Sequence, residues 1–322
     1  MKNYNWACIG CGHIANEMAQ AMEQSGKRFY CVSGRTPENT DAFAKKYGID
    51  KVCGSADEVF ADENVDIVYI ATPHNRHIEY IVNAAKSGKH ILCEKAIVLN
   101  SAELERAIDA CDKNGVILAE AMTIFHMPIY SKVCEHLARL GRVKMVEVNL
   151  GSNKVYDMTN RFFNPELAGG AMLDIGVYAL SFARYFLSEN ANEVKSTVTL
   201  APTGVDEAAV MLLKNSCGEM ASVTLSLTAK LPRTAVVSFE NGYVEFDNYN
   251  RSTRAKITFL DADEELIIDC DEGLSPLTYE IADMERAVSG GENKMRLDLT
   301  RDVMEIMTKT RYEWGVRYPE EM

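Results

Sequence analysis

An apolar run from Tyr4 to Ile9 leads directly into Gly10-Cys11-Gly12-His13-Ile14-Ala15, and a stretch with helical spacing follows. Few folds accept two glycines between a buried strand and a helix in this way. The first glycine permits a tight turn, the second lets backbone approach a bulky anion, and the small Ala15 keeps the helix close to the sheet. The first turn of such a helix has amide groups without intrahelical partners and the positive end of the helix dipole. The arrangement is the G-x-G-x-x-A form of a dinucleotide cradle, with Gly10, Gly12, His13 and Ile14 as the residues expected to line the cofactor.

The next hundred residues repeat the alternation. Phe29 to Ser33, Val65 to Ala71, His90 to Cys93 and Val116 to Ala119 read as strands. Between them lie helical patterns, including Ile14, Met18 and Met22, then Thr40 to Tyr47, then Ile78, Ile81, Val82 and Ala85, and finally Leu104, Ala107, Ile108 and Cys111. Asn100 and Glu103 form a candidate capping box for the last of these. Strands alternating with helices predict an α/β Rossmann domain, a doubly wound parallel sheet, over residues 1–121. Ligands of such sheets sit at the carboxyl ends of the strands.

From about residue 142 the pattern changes to runs of strands: Lys144 to Leu150, Lys195 to Leu200, Ala208 to Leu213, Met220 to Leu227, Val236 to Phe239, Tyr243 to Phe246, Lys256 to Leu260 and Leu266 to Ile268. Helices are predicted at Pro128 to Arg139, Leu173 to Phe186, Leu277 to Val288 and Thr300 to Trp314. Residues 122–322 are thus expected to form an α+β domain with a large, mostly antiparallel open-faced sheet. It would bind substrate, and its uncovered face would need a second copy of the chain, giving a homodimer or homotetramer.

Bulk properties exclude some functions. With a net charge of −13, the chain lacks the basic face that a nucleic-acid partner requires. No apolar run is read as approaching a membrane span, and Met1-Lys2-Asn3-Tyr4-Asn5 lacks the apolar core of a signal peptide, so a cytoplasmic location is the default expectation. Nine scattered cysteines are an odd count for a disulfide framework and are read as reduced thiols. Cys8 and Cys11 form a C-x-x-C pair without a second pair or suitably spaced histidines, and no metal site is expected.

Four clusters carry candidate chemistry. At the tip of the second strand, Ser33-Gly34-Arg35-Thr36 shows no acid before Glu38. An NAD-specific fold places an acid there on the ribose 2′-OH. Ser33, Arg35 and Thr36 suit a 2′-phosphate instead, so NADP(H) is the preferred cofactor, with NAD(H) possible. After the strand Val65 to Ala71 come Thr72, Pro73, His74, Asn75 and His77, read as residues lining the cofactor or capping the next helix. Glu94 and Lys95 end another strand, and the lysine is either a cation near the reaction or half of a surface ion pair. Finally, in Gly169-Gly170-Ala171-Met172-Leu173-Asp174-Ile175-Gly176-Val177-Tyr178, Asp174 either opens a helix with Tyr178 one turn on, or is a simple N-cap.

In this order, Gly10 to Ala15, Ile70-Ala71-Thr72-Pro73-His74-Asn75, Cys93-Glu94-Lys95, Glu120-Ala121-Met122 and Gly169 to Tyr178 resemble the glucose–fructose oxidoreductase/inositol dehydrogenase/rhizopine-catabolism (Gfo/Idh/MocA) family, nearly end to end. The last segment is most similar to the glucose–fructose oxidoreductase and dimeric dihydrodiol dehydrogenase branch, with tyrosine where other members have histidine. The resemblance implies hydride transfer at a nicotinamide, an active site between the two domains, and sugars, cyclic polyols or related alcohols as substrates. It implies Lys95 and Tyr178 as the catalytic pair with Asp174 beside them. A phenol ordinarily titrates near 10, and an adjacent ammonium favours phenolate. Two positions depart from the family pattern. Ala96 replaces the usual proline, which removes a restriction on Lys95. Thr123-Ile124-Phe125-His126-Met127-Pro128 lacks the family's tryptophan and arginine, making His126, with Arg161 and Phe162, a candidate for the substrate pocket. A non-catalytic nicotinamide-binding sensor of the same fold and a glycosidase with retained nicotinamide are the competing readings.

Overall fold

Strands with almost no polar alternation build the first sheet. In the computed structural model, which describes residues 3–261 and 264–322, these are β1 (Trp6–Ile9), β2 (Cys31–Ser33), β3 (Lys51–Cys53), β4 (Ile67–Ile70), β5 (His90–Glu94) and β6 (Leu118–Ala121). Met1 and Lys2, at the head of the N-terminal stretch, lie outside the described residues. All pairings are parallel, and the order is β3-β2-β1-β4-β5-β6. Every residue of β1, β2, β4 and β6 is buried, as expected for a sheet covered on both faces. The crossovers are α1 (His13–Gln24), α2 (Pro37–Tyr47), α3 (Ala56–Ala61), α4 (His77–Lys86) and α5 (Ser101–Asn114). Asn100 caps α5 by accepting from the Glu103 amide at 2.9 Å, and the Glu103 carboxylate reaches back to accept from the Leu99 amide at 2.9 Å. Strand order reverses between β1 and β4, which places the ligand crevice where Gly10 and Thr72 follow those strands.

The second sheet has eight strands in the order β14-β13-β12-β11-β7-β10-β9-β8. After α6 (Pro128–Cys134) and α7 (Leu137–Leu140), the chain enters β7 (Val143–Gly151), then a π-helical turn at Met172–Gly176 that continues into α8 (Val177–Phe186). The remaining strands are β8 (Glu193–Leu200), β9 (Asp206–Lys214), β10 (Met220–Ser226), β11 (Thr234–Phe239), β12 (Gly242–Asp247), β13 (Arg254–Phe259) and β14 (Glu264–Asp269). All eight were legible as strands. Only β7 and β10 run parallel, with Val148 opposite Val223. Val146, Val148, Val223, Leu225 and Val237 face inward. Phe182 and Phe186 of α8 pack edge-on or tilted against the rings of Tyr130 and Phe246. One stretch, Pro165–Phe186, does reach the length and apolarity of a membrane span, contrary to the sequence expectation; 83% of its most apolar window is buried in this unit, so it is read as a core element.

The chain then forms α9 (Leu277–Val288) and α10 (Leu297–Glu313). Leu277, Ile281, Met284 and Ala287 recur on one face of α9 and join the core that holds Trp6, Met18, Met22 and Phe29. The Trp6 indole donates to Glu285 at 3.0 Å. The compact units are therefore Met1–His126 with Gly273–Leu297, and Met127–Glu272 with Asp298–Met322, a division that differs from a single cut after residue 121.

Candidate functional site

In the first unit, Gly10 adopts φ +105°, and a Cβ there would lie 2.4 Å from the Ala71 carbonyl oxygen. No side chain fits, because β1 and β4 emerge side by side at this point. A Cβ on Gly12 would meet nothing within 4 Å. Gly12 is the N-cap of α1, has no side-chain cap, and is followed by no acid in the first turn. The first amides of α1, including those of His13 and Ile14, thus face an open approach suited to an anion. The His13 ring itself is exposed and pairs with Glu17 at 3.0 Å. At the neighbouring tip, Ser33 is buried and its carbonyl accepts from the Gly10 amide at 2.8 Å. Arg35 and Thr36 are exposed, and Arg35 makes no ion pair among the described residues. The buried Thr72 hydroxyl has no hydrogen-bond partner among the described residues. These features fit a dinucleotide: an open helix start, an unengaged arginine and a buried hydroxyl beside Gly10.

The two histidines after β4 serve the lysine loop. The His74 ring nitrogen Nε2 lies 3.0 Å from the Lys95 carbonyl oxygen. His77 is fully buried; its Nε2 lies 2.8 Å from the Thr72 oxygen and its Nδ1 3.1 Å from that of Ala96. Burial pushes the His77 pKa down, opposed by these backbone carbonyl groups, to which its ring nitrogens donate according to tautomer. Pro73 is exposed and Asn75 half-buried. The Glu120 carboxylate accepts from the Ile97 amide at 3.0 Å. The loop that carries Lys95 is thus held on both sides, with the Lys95–Ala96 peptide in the cis form. Glu94 points into the interior, where the Tyr69 hydroxyl donates to it at 2.5 Å. Burial pushes the Tyr69 phenol up, and the neighbouring Glu94 charge adds to this. Glu94-Lys95 is accordingly no surface ion pair: the glutamate is buried and the lysine half-exposed. His126 is also interior, with Nδ1 2.9 Å from Asp283.

In the second unit, the helix does not start at Asp174. Ala171 is already helical, and the Asp174 amide donates to the Gly170 carbonyl at 3.2 Å. Asp174 therefore sits inside the π-helical turn, which rules out the N-cap reading, and Tyr178 stands half-exposed in the first turn of α8. π turns interrupt α-helices mostly at functional positions. The exposed Arg161 bonds Asp174 at 3.2 Å, and its guanidinium lies 4.3 Å from the centre of the Phe162 ring. A Cβ on Gly169 would lie 2.7 Å from the Arg161 carbonyl oxygen, so the glycine lets this loop close against the helix start.

Sequence reading missed Asp206, the first residue of β9. It is fully buried and accepts from the Met172 amide at 2.6 Å. Burial pushes its carboxyl up to about 7, opposed by the Met172 amide and by Arg311. The only local signal is an acid opening a strand whose middle, Ala208 to Leu213, is apolar. All nine cysteines are free, and burial pushes Cys8 and Cys11 above the ordinary thiol range, which keeps them protonated.

Known proteins share this plan. Residues 4–122 match the family described as the GFO/IDH/MocA oxidoreductase family with an NAD-binding Rossmann fold, and residues 136–245 match the GFO/IDH/MocA C-terminal domain. The trans-1,2-dihydrobenzene-1,2-diol dehydrogenase of Xenopus tropicalis is 29% identical over 246 residues, 74% of each chain. Among solved structures, aldose–aldose oxidoreductase from Caulobacter crescentus aligns with a TM-score of 0.86 at 22% identity, covering 98% of both chains. KijD10, a 3-ketoreductase from Actinomadura kijaniata solved with NADP and TDP-benzene, aligns with a TM-score of 0.83 at 20% identity, covering 96% of this chain and 98% of that one. The two matched domains, in the order that the glycine turn, the Lys95 loop and the Tyr178 helix anticipate, place the chain in the Gfo/Idh/MocA family of oxidoreductases.

Proposed function

We propose that the chain is an NADP(H)-dependent oxidoreductase that moves hydride between nicotinamide and a sugar-like or cyclic alcohol or carbonyl compound, with Tyr178 as acid/base and Lys95 as its electrostatic partner. The observation that carries the reading is the Lys95 loop: a half-exposed lysine at the carboxyl end of β5, its carbonyl held by His74 and the Ile97 amide of the same loop held by Glu120. A lysine held there by buried groups is suited to act on a bound ligand. The bound cofactor supplies or accepts the hydride. The α1 amides would hold its pyrophosphate, and Ser33, Arg35 and Thr36 would hold the 2′-phosphate. Thr72 to His77 shape the wall beside it, with Glu94 and His77 acting from the interior. Tyr178 takes the alcohol proton in oxidation and returns it in reduction, while Lys95 offsets the charge that develops on oxygen. Asp174, paired with Arg161, is placed one turn from Tyr178.

A panel of trans-dihydrodiols, aldoses and inositols with NADP⁺ and NAD⁺ tests the reading. Tight cofactor binding without turnover of any of them would reject it in favour of a sensor. Replacing Arg35 by Ala is expected to weaken NADP⁺ binding about tenfold or more while barely changing NAD⁺, since only the former loses a charge-assisted bond; equal losses in titrations of the two cofactors would refute the 2′-phosphate contact. For the outer face of the eight-stranded sheet, where Val210 is 44%, Leu212 58% and Met220 41% exposed, the proposed occupant is a second copy of the chain. Light scattering should then give at least a dimer mass, and a monomer mass would overturn this assignment.

A further inference from the structure

The helix that bears Asp174 and Tyr178 begins where no local cap is available. Its preceding residues are Gly169 and Gly170, which have no side chains to accept from the first amides. The acceptor comes from another element. Asp206, opening β9, receives the Met172 amide on Oδ2 at 2.6 Å. Its Oδ1 lies 2.4 Å from where a Cβ on Gly170 would be, at a backbone φ of +124°. Glycine is therefore required there on two counts, conformation and room for the carboxylate. Around this junction the Tyr318 hydroxyl donates to the Gly169 carbonyl at 2.6 Å, and the Arg311 guanidinium stands 4.6 Å from the Tyr318 ring centre. Arg311 is itself paired with Glu321 at 2.8 Å.

We propose that Asp206 is a positioning residue for the reaction: its carboxyl group, accepting the Met172 amide, pins the start of this helix and so fixes where Asp174 and Tyr178 stand. A carboxylate is favoured at a helix N-terminus by the macrodipole and by charge-assisted bonds to the first amides. The π-helical turn at Met172–Gly176 lies between the pinned end and Tyr178, and turns of this kind are frequent at functional sites. The charged and titratable groups around Asp206 are Arg311, Tyr318 and, through Arg311, Glu321. The inference rests on the proposed acid/base role of Tyr178, but its test does not.

The variant is Asp206→Asn in the full chain, which keeps the shape and an acceptor oxygen and removes the charge. At about pH 8, above the value of about 7 at which the Asp206 carboxyl ionises, hydrogen exchange at the Met172 amide should accelerate by about tenfold or more relative to the strands of the same unit. Thermal stability behaves oppositely. The folded carboxyl, at about 7, lies above its ordinary 3.8, so its contribution to stability is present at low pH and is lost as pH rises through about 7. The variant should therefore be at least as stable as the wild type at about pH 8, with a flatter pH dependence of Tm. With any substrate that the panel yields, kcat should fall while KM for NADP⁺ stays within about twofold. Unchanged exchange at Met172 overturns the proposal whether or not the chain turns over a substrate. Failure of the variant to fold also overturns it, because Asp206 would then be a determinant of the whole fold rather than of one helix start.

Discussion

Replacing Tyr178 by Phe is expected to lower kcat by about two to four orders of magnitude, the usual worth of a positioned general acid–base, with NADP⁺ affinity within about twofold of wild type. The substitution removes only the hydroxyl from a half-exposed ring in the first turn of α8, so the helix should keep its seat. The nearby Tyr249 does not offer a substitute. It is fully buried, and burial pushes its phenol up, with Tyr178 adding to the effect. Steady-state kinetics on the most active alcohol of the panel, alongside a fluorescence titration of cofactor, separates the two quantities. A variant with more than a tenth of wild-type kcat would end the acid–base assignment. A parallel loss of cofactor affinity would point to a structural role instead.

The second large effect is on stability. Arg311 is wholly buried and makes a two-pronged pair with Glu321, Nη1 to Oε2 at 3.0 Å and Nη2 to Oε1 at 2.8 Å, and donates to the Val316 carbonyl at 3.2 Å. The Tyr312 hydroxyl and the Tyr318 amide also donate to Glu321, each at 3.0 Å. Arg311→Met fills much of the same volume but leaves the Glu321 carboxylate without its cation. Breaking a buried pair in this way costs about 3–5 kcal/mol. Adding Glu321→Gln should recover a good part of that loss, because the remaining charge is then gone too. Urea denaturation of the two single variants and the double variant gives the coupling. Additive losses would show that Glu321 is screened well enough to stand alone, contrary to the burial of both side chains.

What was legible follows the distance over which each feature is determined. The turn from Gly10 to Ala15, the cap at Asn100 and the tip at Ser33 to Thr36 are local, and their residues imply their geometry. The strands of the second sheet were legible for the same reason, since alternation on a half-covered sheet writes itself into consecutive residues. The edge strand β3 gives no pattern because it has three residues with Lys51 and Val52 exposed, and α3 spans only six residues. Lys95 and Tyr178 are candidates through motifs, but the contacts around them are not legible in sequence. His74, His77 and Glu120 act on backbone carbonyls and amides of the lysine loop, and nothing in the spacing of histidines distinguishes that task from lining a ligand. Asp206, Tyr318 and Arg311 meet the glycine pair only after the chain has folded, so no window of sequence contains the relation. Asp174 was placed at a helix start because α-helical spacing was assumed, whereas the π turn moved the start back to Ala171.

The return of α9 to the first unit has a consequence for synthesis. Trp6 and Glu285, which share a hydrogen bond, are 279 positions apart. On the ribosome, α1 and β1 emerge early, while the helix that completes their core follows only after the entire eight-stranded sheet has been translated. Closing so long a loop adds little free energy, since the entropic cost grows only with the logarithm of its length. The delay is in time. Throughout elongation of the second unit, the nascent chain carries the face destined for Ile281 and Met284 without its cover, and a hydrophobic face in that state is the kind of surface that chaperones hold.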